Sequence, residues 1–483
     1  MGTLVAVINR KGENATQTAV AMLMIMNHGN AEAFGIASPQ AMRTEKSPDA
    51  LQDLDIDSQI IVGYLFSRTL NRDRPQPIQV DNAALVFEGR LFPPVAEMSD
   101  AEVVETRLPQ PREKTVKALI KDAEGDFALA IAEPERLITG RDRFGSRPLY
   151  YGENAQFAAL ASERKALWRI GIENPVSFPP GHIAAVNANG FMFKPAGEPS
   201  RVRPPPLDMQ AASDRLLALL QASVTARVTG VEEIAVAFSG GLDSTVIALL
   251  AKQAGIQVHL IHVSLRNRPE TNHAKQTAQQ LKLLIDIDEY TAEDIEQTLP
   301  HVLWAIEEAN PIKTSIGIPI YWAAEKAAEM KLKVMLAGQG ADELFGGYKR
   351  YVDTYLRFGI KRATQMMQAD IGQLHETNLE RDVKICASCG IELRLPFLTH
   401  AIAELAASMP IELKIQQKPN TLRKLVLRLV AEKIGLPKQV TSRPKKAIQY
   451  TTGTEKALRK LAKTKQLTVR EYLQKVFEST CRR

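Results

Sequence analysis

The chain has 483 residues, of which 45% are hydrophobic and 24% are charged, and its formal net charge is +6. This length favours two domains, and the composition is ordinary for a globular protein. No apolar run approaches the roughly 20 residues that a membrane helix needs, so a membrane partner is not expected. Three cysteines are too few for a disulfide framework and suit the reducing cytoplasm.

Residues 1–200 alternate short β-rich runs with turns, and few helices interrupt them. The better helix candidates are Thr16–Met26 and Glu113–Lys121. This pattern predicts a sheet-rich first domain. Its predicted strands are Thr3–Asn9, Gln59–Tyr64, Ala83–Phe87, Asp126–Ala132 and Gln156–Leu160.

Residues 201–207 contain three successive prolines, which stop a helix and predict a stiff linker. Beyond them, in residues 208–483, strands alternate with helices, which predicts an α/β domain with a parallel sheet covered by helices. The predicted elements are strand Ile234–Phe238, helix Asp243–Ala254, strand Val258–Val263, helix Thr271–Leu281 and strand Leu284–Asp288.

A phosphate site is predicted at Ser239–Thr245, where an apolar strand runs into a Ser-Gly-Gly turn and then opens a helix. Glycines let the backbone approach an anion, and the N–H groups of a helix start attract it. Asp243 would repel phosphate directly, so we predict it as a Mg²⁺ ligand. No Gly-Lys-Ser/Thr follows, which disfavours simple phosphoryl transfer. The predicted contacts are Ser239, Gly240, Gly241, Asp243, Ser244 and Thr245.

The segment S-G-G-L-D-S resembles the pyrophosphate loop of ATP pyrophosphatases, which split ATP between the α and β phosphates. Three later segments resemble, in order, motifs of asparagine synthetases: Gly338–Tyr348 (G-Q-G-A-D-E-L-F-G-G-Y), Gly390–Leu398 (G-I-E-L-R-L-P-F-L) and Arg443–Lys445. The resemblance implies an ATP pyrophosphatase domain of the adenine nucleotide α-hydrolase type, which adenylates a carboxylate.

By this resemblance, Asp243 and Asp342 would share a Mg²⁺ ion that neutralises the triphosphate of ATP. Lys445 would stabilise charge on the reacting phosphorus and on the departing pyrophosphate. Glu392 and Arg394 are interpreted as a buried structural pair. The further residues implied in nucleotide binding are Gly338 and Gly340, with Val263 and Leu265 against the adenine.

Residues 1–200 resemble the N-terminal-nucleophile glutamine amidotransferase domain of the same family, an α+β sandwich, through Gly140–Gly152 and Ala161–Leu167. The glutaminase residues are degenerate, however, so we expect no glutamine hydrolysis. Asp100 alone matches a glutamine-binding position. The lost positions are Gly2 for the nucleophilic cysteine, Glu88 for the oxyanion-hole asparagine, Arg90 for the glutamate after it and Phe66 for the carboxylate-binding arginine.

The positions that hold aspartate in asparagine synthetases also differ. Ile312 falls on the threonine, Ser315 on the arginine, and Gln339 on the glutamate in the middle of G-x-G, which makes Gln339 a catalytic candidate beside Lys445. Lys313 could replace the arginine with a register shift of two. Because a substrate carboxylate needs a cation or several donors, aspartate is a doubtful substrate. β-lactam synthetases are similar in these respects and use an amine of the substrate itself.

The sequence therefore favours a ligase that uses ATP and Mg²⁺, releases AMP and pyrophosphate, and takes free ammonia or a substrate amine as nucleophile. One alternative is an asparagine synthetase fed by ammonia or by a separate glutaminase. Another is a nucleotide-binding regulatory or scaffold protein that no longer turns over. The expected partners are a small carboxylate and ammonia or an amine, and homo-oligomer formation is left open.

Two further features admit two interpretations each. Residues 443–483 hold 12 lysines or arginines against three glutamates. A solvated helix face is favoured over a nucleic-acid surface because no aromatic interleaving or nucleic-acid motif accompanies these charges. Cys386 and Cys389 form a lone C-x-x-C, for which small-residue packing is favoured over metal or redox chemistry.

Overall fold

The computed structural model describes residues 2–53, 55–108, 111–197, 207–419 and 421–481. The chain divides into two compact units, Met1–Pro199 and Ser200–Arg483. Of the predicted proline linker, only Leu207 falls within the described residues.

The described residues of the first unit form two antiparallel sheets. The helices are α1 (Thr16–Ile25), α2 (Asp49–Gln52), α3 (Asp100–Glu105), α4 (Arg112–Asp122) and α5 (Arg164–Trp168). The strands are β1 (Gly2–Asn9), β2 (Ala33–Ala37), β3 (Met42–Glu45), β4 (Ile60–Phe66), β5 (Ile78–Val80), β6 (Ala83–Leu91), β7 (Gly125–Ala132), β8 (Leu137–Arg141), β9 (Tyr150–Glu153), β10 (Phe157–Ala161), β11 (Val176–Ser177), β12 (His182–Asn187) and β13 (Gly190–Pro195). The two sheets have the strand orders β11-β9-β10-β1-β4-β2-β3 and β13-β12-β8-β7-β6-β5.

Alternation along β1 shows how this unit is layered, because successive side chains of a strand point to opposite faces. Leu4, Ala6 and Ile8 join a core cluster shared by both sheets. Val5 and Val7 join a second cluster with residues of α1 and α5. A third cluster covers the other sheet with residues of α3 and α4. The unit is therefore an α+β sandwich of helix, sheet, sheet and helix, as predicted.

The second unit is built on a parallel sheet whose strands are β14 (Glu233–Ala237), β15 (Gln257–Leu265), β16 (Leu284–Tyr290), β17 (Val334–Leu336) and β18 (Glu392–Arg394). Their order in the sheet is β16-β15-β14-β17-β18. Its helices are α6 (Met209–Val228), α7 (Leu242–Gln253), α8 (Pro269–Leu281), α9 (Ala292–Ile306), α10 (Pro311–Glu329), α11 (Ala341–Phe345), α12 (Lys349–Gly372), α13 (Glu380–Ser388), α14 (His400–Ser408), α15 (Leu425–Lys433), α16 (Lys438–Thr441), α17 (Ile448–Thr451), α18 (Thr454–Thr464) and α19 (Val469–Cys481), with a π-helical turn at His375–Leu379 and a 3₁₀ turn at Ile411–Leu413.

The predicted α/β architecture is confirmed, and its strand order locates a binding crevice. The chain leaves β14 toward β15 and β16 on one side, and later adds β17 and β18 on the other. Strand order therefore reverses at β14, and ligands of open parallel sheets bind at the carboxyl ends of the strands beside such a switch point. The loops after β14 and β17 begin at Phe238 and Ala337.

The described residues of the basic C-terminal segment include the helices α17, α18 and α19. In α18, Ala457, Leu458 and Ala462 are buried, whereas Arg459 and Lys463 are exposed, so the helix is amphipathic with a solvated basic face. Among the described residues, no helix is both long and apolar enough to cross a membrane.

Cys386 lies within α13 and Cys389 directly after it. No cluster of three or more histidine, cysteine or acidic side chains could hold a metal within the described part of the chain.

Candidate active site

A cavity of about 680 Å³ lies at the carboxyl edge of the parallel sheet. Residues that follow β14, β15 and β17 line it, together with α10, α13 and residues 443–452. Its volume falls within the range of small-molecule and cofactor sites.

The predicted phosphate loop borders this cavity. Ser239, Gly241, Asp243 and Ser244 line the wall, and Gly241 caps the N-terminus of α7. The Ser239 Oγ accepts a hydrogen bond from the Gly241 N–H at 3.2 Å. The loop thus presents hydroxyls and the start of a helix to the cavity, as an anion site requires.

Two predicted phosphate contacts are not on the cavity wall. Thr245 is fully buried, and its Oγ1 donates to the Gly241 carbonyl at 2.6 Å, so it stabilises the loop from inside the protein. Gly240 has φ +65° and packs against α8, where a Cβ would lie 3.0 Å from His273 and 3.1 Å from Ala274. Glycine is needed there for its backbone conformation and this close packing.

The second predicted loop approaches the first closely. A Cβ on Gly338 would lie 2.8 Å from the Asp243 Cβ, and one on Gly347 would lie 1.8 Å from Asp342 Oδ1. Gly338 therefore lets the loops after β14 and β17 meet, whereas Gly347 leaves room for the side chains of Asp342 and Lys424. Gly340 is instead the N-cap of α11 and faces Leu398, away from the predicted phosphate contact.

Two lysines bind the two predicted metal ligands. Lys424 Nζ lies 2.7 and 2.6 Å from the carboxylate oxygens of Asp243 and 2.7 Å from Asp342 Oδ1. Lys445 Nζ donates to Asp342 Oδ2. Asp243, Asp342 and Lys445 are thus brought together as predicted, whereas Lys424 was not predicted because it stands in no motif.

The two ammonium groups determine the ionisation of this cluster. Burial alone would raise the pKa of Asp342, but Lys424 and Lys445 hold that pKa well below its usual range. Burial would lower the pKa of Lys445, but Asp342 and Asp243 raise it. Asp342 therefore remains a carboxylate and Lys445 an ammonium at neutral pH.

Lys446 occupies a different environment from Lys445. Its side chain is 60% exposed and pairs with Glu270 at 3.2 Å, whereas that of Lys445 is 29% exposed. Two adjacent lysines thus differ in partner and in burial.

The predicted adenine wall is only partly on the cavity. Val263 lines it, together with His262 and Ile261. Leu265 does not, because its N–H donates to the Thr452 carbonyl at 3.0 Å and the strand is covered there. The assignment of Leu265 as an adenine contact is therefore not supported by its position.

The acceptor residues predicted on α10 do not converge. Ile312 lines the cavity and is 67% exposed. Lys313 pairs with Glu308, and the buried Ser315 donates its hydroxyl to the Ile312 carbonyl at 2.9 Å. Neither Lys313 nor Ser315 is on the cavity wall. The reason is helical phase: positions 312, 316 and 320 share one face of α10, and positions 313 and 315 lie on others.

Charged residues from α13 reach this end of the cavity instead. The Gln339 amide donates to Asp382 Oδ2, and Arg381 Nε donates to Asp382 Oδ1 at 2.6 Å. All three line the cavity. Burial raises the pKa of Asp382, and Arg381 only partly opposes that rise. Arg381 and Asp382 belong to no motif, so no sequence pattern points to them.

A second carboxylate, Glu343, also lines the cavity and directly follows Asp342 in α11. Its Oε1 accepts from the Tyr348 hydroxyl at 2.6 Å and from Asn378 Nδ2 at 3.0 Å. Burial and the charge of Asp342 raise the pKa of Glu343. No arginine, lysine or histidine pairs with it among the described residues.

Comparison with known proteins identifies the family. The asparagine synthase family model matches residues 215–362 and 358–478, which together exceed half of the chain, and a glutamine amidotransferase domain model matches residues 74–169. The chain belongs to the asparagine synthase family. Membership places it among ATP-dependent carbon–nitrogen ligases.

The chain is also similar to individual proteins. The chain is 33% identical over 394 residues to a protein of Methanocaldococcus jannaschii named putative asparagine synthetase (glutamine-hydrolyzing) 1, covering 71% of this chain and 72% of that one. It is 27% identical over 372 residues to the asparagine synthetase (glutamine-hydrolyzing) of Triphysaria versicolor, covering 74% of this chain and 61% of that one. A glutamine phosphoribosylpyrophosphate amidotransferase structure from B. subtilis, complexed with ADP and GMP, aligns at 16% identity with a TM-score of 0.34 over 55% of this chain and 67% of that one.

In this member of the asparagine synthase family, there is no room for a side chain at Gly2. Gly2 pairs with Phe66 across β1 and β4. A Cβ on Gly2 would lie 2.2 Å from the Leu65 carbonyl oxygen and 2.4 Å from the Tyr64 ring. Neither distance is compatible with a side chain, so residue 2 cannot carry a thiol without a shift of its neighbours.

Glu88, at the expected oxyanion-hole position, is a buried hydrogen-bond acceptor. The Ser162 hydroxyl donates to its carboxylate, and burial raises the pKa of Glu88 to about 7. An oxyanion hole needs donors aimed at the developing charge. A carboxylate that already accepts a hydrogen bond cannot serve that purpose when ionised.

Two of the remaining predicted glutaminase positions, Arg90 and Asp100, belong to one salt-bridge network. Arg90 binds Asp73 through two hydrogen bonds of 2.5 and 2.8 Å and contacts Asp100 at 3.2 Å. Asp100 also pairs with Arg72 and accepts from the Leu91 N–H at 3.1 Å. Its carboxylate is therefore engaged within the protein, and Phe66 nearby in sequence is buried.

Proposed function

We propose that the chain is an AMP-forming ligase that adenylates a carboxylate with ATP and Mg²⁺, after which ammonia or a substrate amine forms the amide. We propose further that it does not hydrolyse glutamine itself. The observation that carries the proposal is the cluster of Asp243, Asp342, Lys424 and Lys445 beside the Ser-Gly-Gly loop, at the switch point of the sheet.

The two aspartates fit a magnesium site. They offer oxygen ligands, which Mg²⁺ prefers. Asp342 Oδ1 is buried, and although it lies 2.7 Å from Lys424 Nζ, it makes no hydrogen bond of good geometry. Asp243 and Asp342 would hold the ion, which when bound supplies charge neutralisation for the triphosphate.

The chain's own residues support the first half-reaction. The start of α7 and the hydroxyls of Ser239 and Ser244 can donate to phosphate oxygens. A carboxylate oxygen of the substrate forms a bond to the α phosphorus, the bond between that phosphorus and its bridging oxygen to the β phosphate breaks, and pyrophosphate leaves. Lys424 and Lys445 are placed to stabilise the negative charge that accumulates on that leaving group.

The second half-reaction needs a proton acceptor. The nitrogen nucleophile bonds to the activated carbonyl carbon, the carbon–oxygen bond to AMP breaks, and the nitrogen loses a proton. Gln339 cannot take it, because an amide is not a base near neutral pH. Of the two carboxylates nearby, Asp382 is paired with Arg381. Glu343, which has no cationic partner among the described residues, is the better acceptor.

Ammonia-dependent asparagine synthesis is the second candidate within the family, and one observation favours it. Arg381 supplies a buried guanidinium at the acceptor end, where the sequence motif had lost its arginine. That guanidinium is already neutralised by Asp382, however, so it offers a second carboxylate little attraction. A non-catalytic regulatory role would not require the full lysine–aspartate cluster and is disfavoured for that reason.

A screen for AMP and pyrophosphate release tests the proposal. The protein is incubated with ATP, Mg²⁺ and pooled carboxylates, with ammonia or amines added, and exchange of labelled pyrophosphate into ATP reports adenylation. Asp243→Asn should abolish exchange, because an amide is a far weaker magnesium ligand than a carboxylate. The matched control is Asp214→Asn, which alters an exposed aspartate outside the cavity that also pairs with a lysine, Lys433. Normal exchange in Asp243→Asn would reject the site.

A further inference from the structure

The ammonium group of Lys424 lies between the two candidate magnesium ligands, Asp243 and Asp342. Lys424 is 2% exposed, and its ammonium touches both Asp243 and Asp342 at 2.6–2.7 Å. Its backbone has φ 60° and ψ 46°, a left-handed conformation that non-glycine residues rarely adopt. It directly precedes α15, and its carbonyl accepts from the Arg428 N–H at 2.9 Å. The backbone conformation thus fixes the position from which the Lys424 side chain extends toward the two aspartates.

An ammonium in this position competes with a divalent cation for the same oxygens. Magnesium binds its oxygen ligands at about 2.0–2.1 Å, and both aspartates already direct oxygens to Lys424 Nζ. A cation placed between these carboxylates would contact the ammonium at a few ångströms, where two positive charges repel strongly in a partly buried site. Lysine and free metal are therefore alternatives.

The charges that line the cavity support the same conclusion. Seven cationic side chains line it against six carboxylates, so their formal charges leave a small net positive charge before any ligand binds. A bare divalent cation would increase that charge, whereas magnesium–ATP brings a net negative charge. The cations are Arg350, Arg381, Lys424, Arg428, Arg443, Lys445 and Lys446, and the carboxylates are Asp243, Glu270, Asp342, Glu343, Asp370 and Asp382.

We propose that Lys424 acts as a tethered counter-ion that keeps Asp243 and Asp342 closed to free divalent cations, so that the metal enters only as its nucleotide complex. When the triphosphate arrives, its oxygens offer the ammonium a new partner and the two carboxylates become available to the metal. This positioning role rests on the proposed function only in taking the aspartate pair as the metal site.

Manganese binding measured by electron paramagnetic resonance tests the role without any turnover. Free Mn²⁺ is followed as it is titrated into the protein, with and without the non-cleavable analogue α,β-methylene-ATP. In the native chain we expect weak binding of Mn²⁺ alone and at least about 10²-fold tighter binding with the analogue. Lys424→Met should tighten binding of Mn²⁺ alone by about 10-fold or more, and reduce the enhancement by the analogue.

Three controls assign the effect. Lys424→Arg retains the positive charge, so this variant should still bind free Mn²⁺ weakly. It therefore distinguishes loss of the charge from loss of the fold. Lys433→Met removes a lysine that pairs with Asp214 outside the cavity, and should change nothing. Adding Asp243→Asn to Lys424→Met should abolish the gained binding. Melting temperatures of all variants show whether they are folded.

Two results would overturn the inference, and they are distinguishable. If folded Lys424→Met and Lys424→Gln bind Mn²⁺ alone no better than the native chain, while analogue-dependent binding persists in the native chain, Lys424 does not guard the site and the proposed function stands. If the native chain binds no Mn²⁺ even with the analogue, the aspartate pair is not a metal site, and both the inference and the proposed function fail.

Discussion

Restoring a cysteine at residue 2 should not restore a glutaminase, and the structure gives the reason. In Gly2→Cys, the new Cβ lies 2.2 Å from the Leu65 carbonyl oxygen and 2.4 Å from the Tyr64 ring. Ordinary contacts are above 3 Å, so a strand or the ring must move by about 1 Å. Such overpacking typically costs about 1–3 kcal/mol. For a unit of about 200 residues, each kcal/mol lowers the melting temperature by about 2–4 °C.

Differential scanning calorimetry of the native chain and Gly2→Cys measures this cost, and glutamate release measures glutaminase activity. We expect a lower melting temperature for the first unit and no glutamate. In the double variant Gly2→Cys/Tyr64→Ala the ring is gone, yet glutamate should still be absent, because Arg90, Asp73 and Asp100 remain locked together. An unchanged melting temperature, or glutamate released by any of these proteins, would refute the reasoning.

Three further outcomes are expected. Lys445→Ala should slow pyrophosphate exchange by on the order of 10²–10³, whereas Lys446→Ala, which changes an exposed side chain, should have little effect. If Lys446→Ala is the more damaging substitution, the catalytic lysine is Lys446 and the motif has been matched one residue too early. Glu88→Gln, which still accepts from Ser162, should stabilise the first unit increasingly from about pH 4.5 to about pH 7, by up to about 3 kcal/mol. Folding raises the pKa of Glu88 from 4.5 to about 7, so the folded native chain binds more protons than the unfolded chain and loses stability as pH rises through this window, whereas the glutamine variant does not. Calorimetry of both proteins across pH measures the difference in stability. A difference that does not vary with pH would contradict this prediction. Aspartate should be a poor acceptor with a Michaelis constant above about 1 mM, measured as AMP formation with ammonia, because the guanidinium of Arg381 is already neutralised.

The sequence predicted that the two aspartates lie together because both follow the ends of strands. Asp243 and Asp342 follow β14 and β17, which are neighbours in the sheet, so residues in the loops after both strands must meet. Gly338, which permits this approach, belongs to the same short motif as Asp342. Local pattern therefore predicts both the fold and the aspartate pair.

The residues that the sequence did not reveal lie outside the motifs and far along the chain from the strand ends that they approach. Lys424 reaches Asp243 across 181 residues of chain, and Arg381 and Asp382 come from α13. None of these three stands at a strand end or in a motif. Lys313 and Ser315 do not lie on the cavity wall, because matching positions along the sequence ignores which face of a helix a residue occupies. The spacing of Ile312, Ile316 and Ile320 carried the missing information.

The acceptor end therefore combines two unlike surfaces. Ile312, Ile316 and Ile320 form an aliphatic wall along α10, and Glu343, Arg381 and Asp382 are among the charged groups that also line the cavity. A small diacid would leave the aliphatic wall unused and would meet carboxylates whose charges oppose its own. A substrate with an apolar body, one carboxylate to be adenylated and a polar or cationic end would contact both surfaces. Binding sites of this kind gain affinity from apolar contact and orientation from a few polar groups, so the geometry favours a substrate larger and less acidic than aspartate.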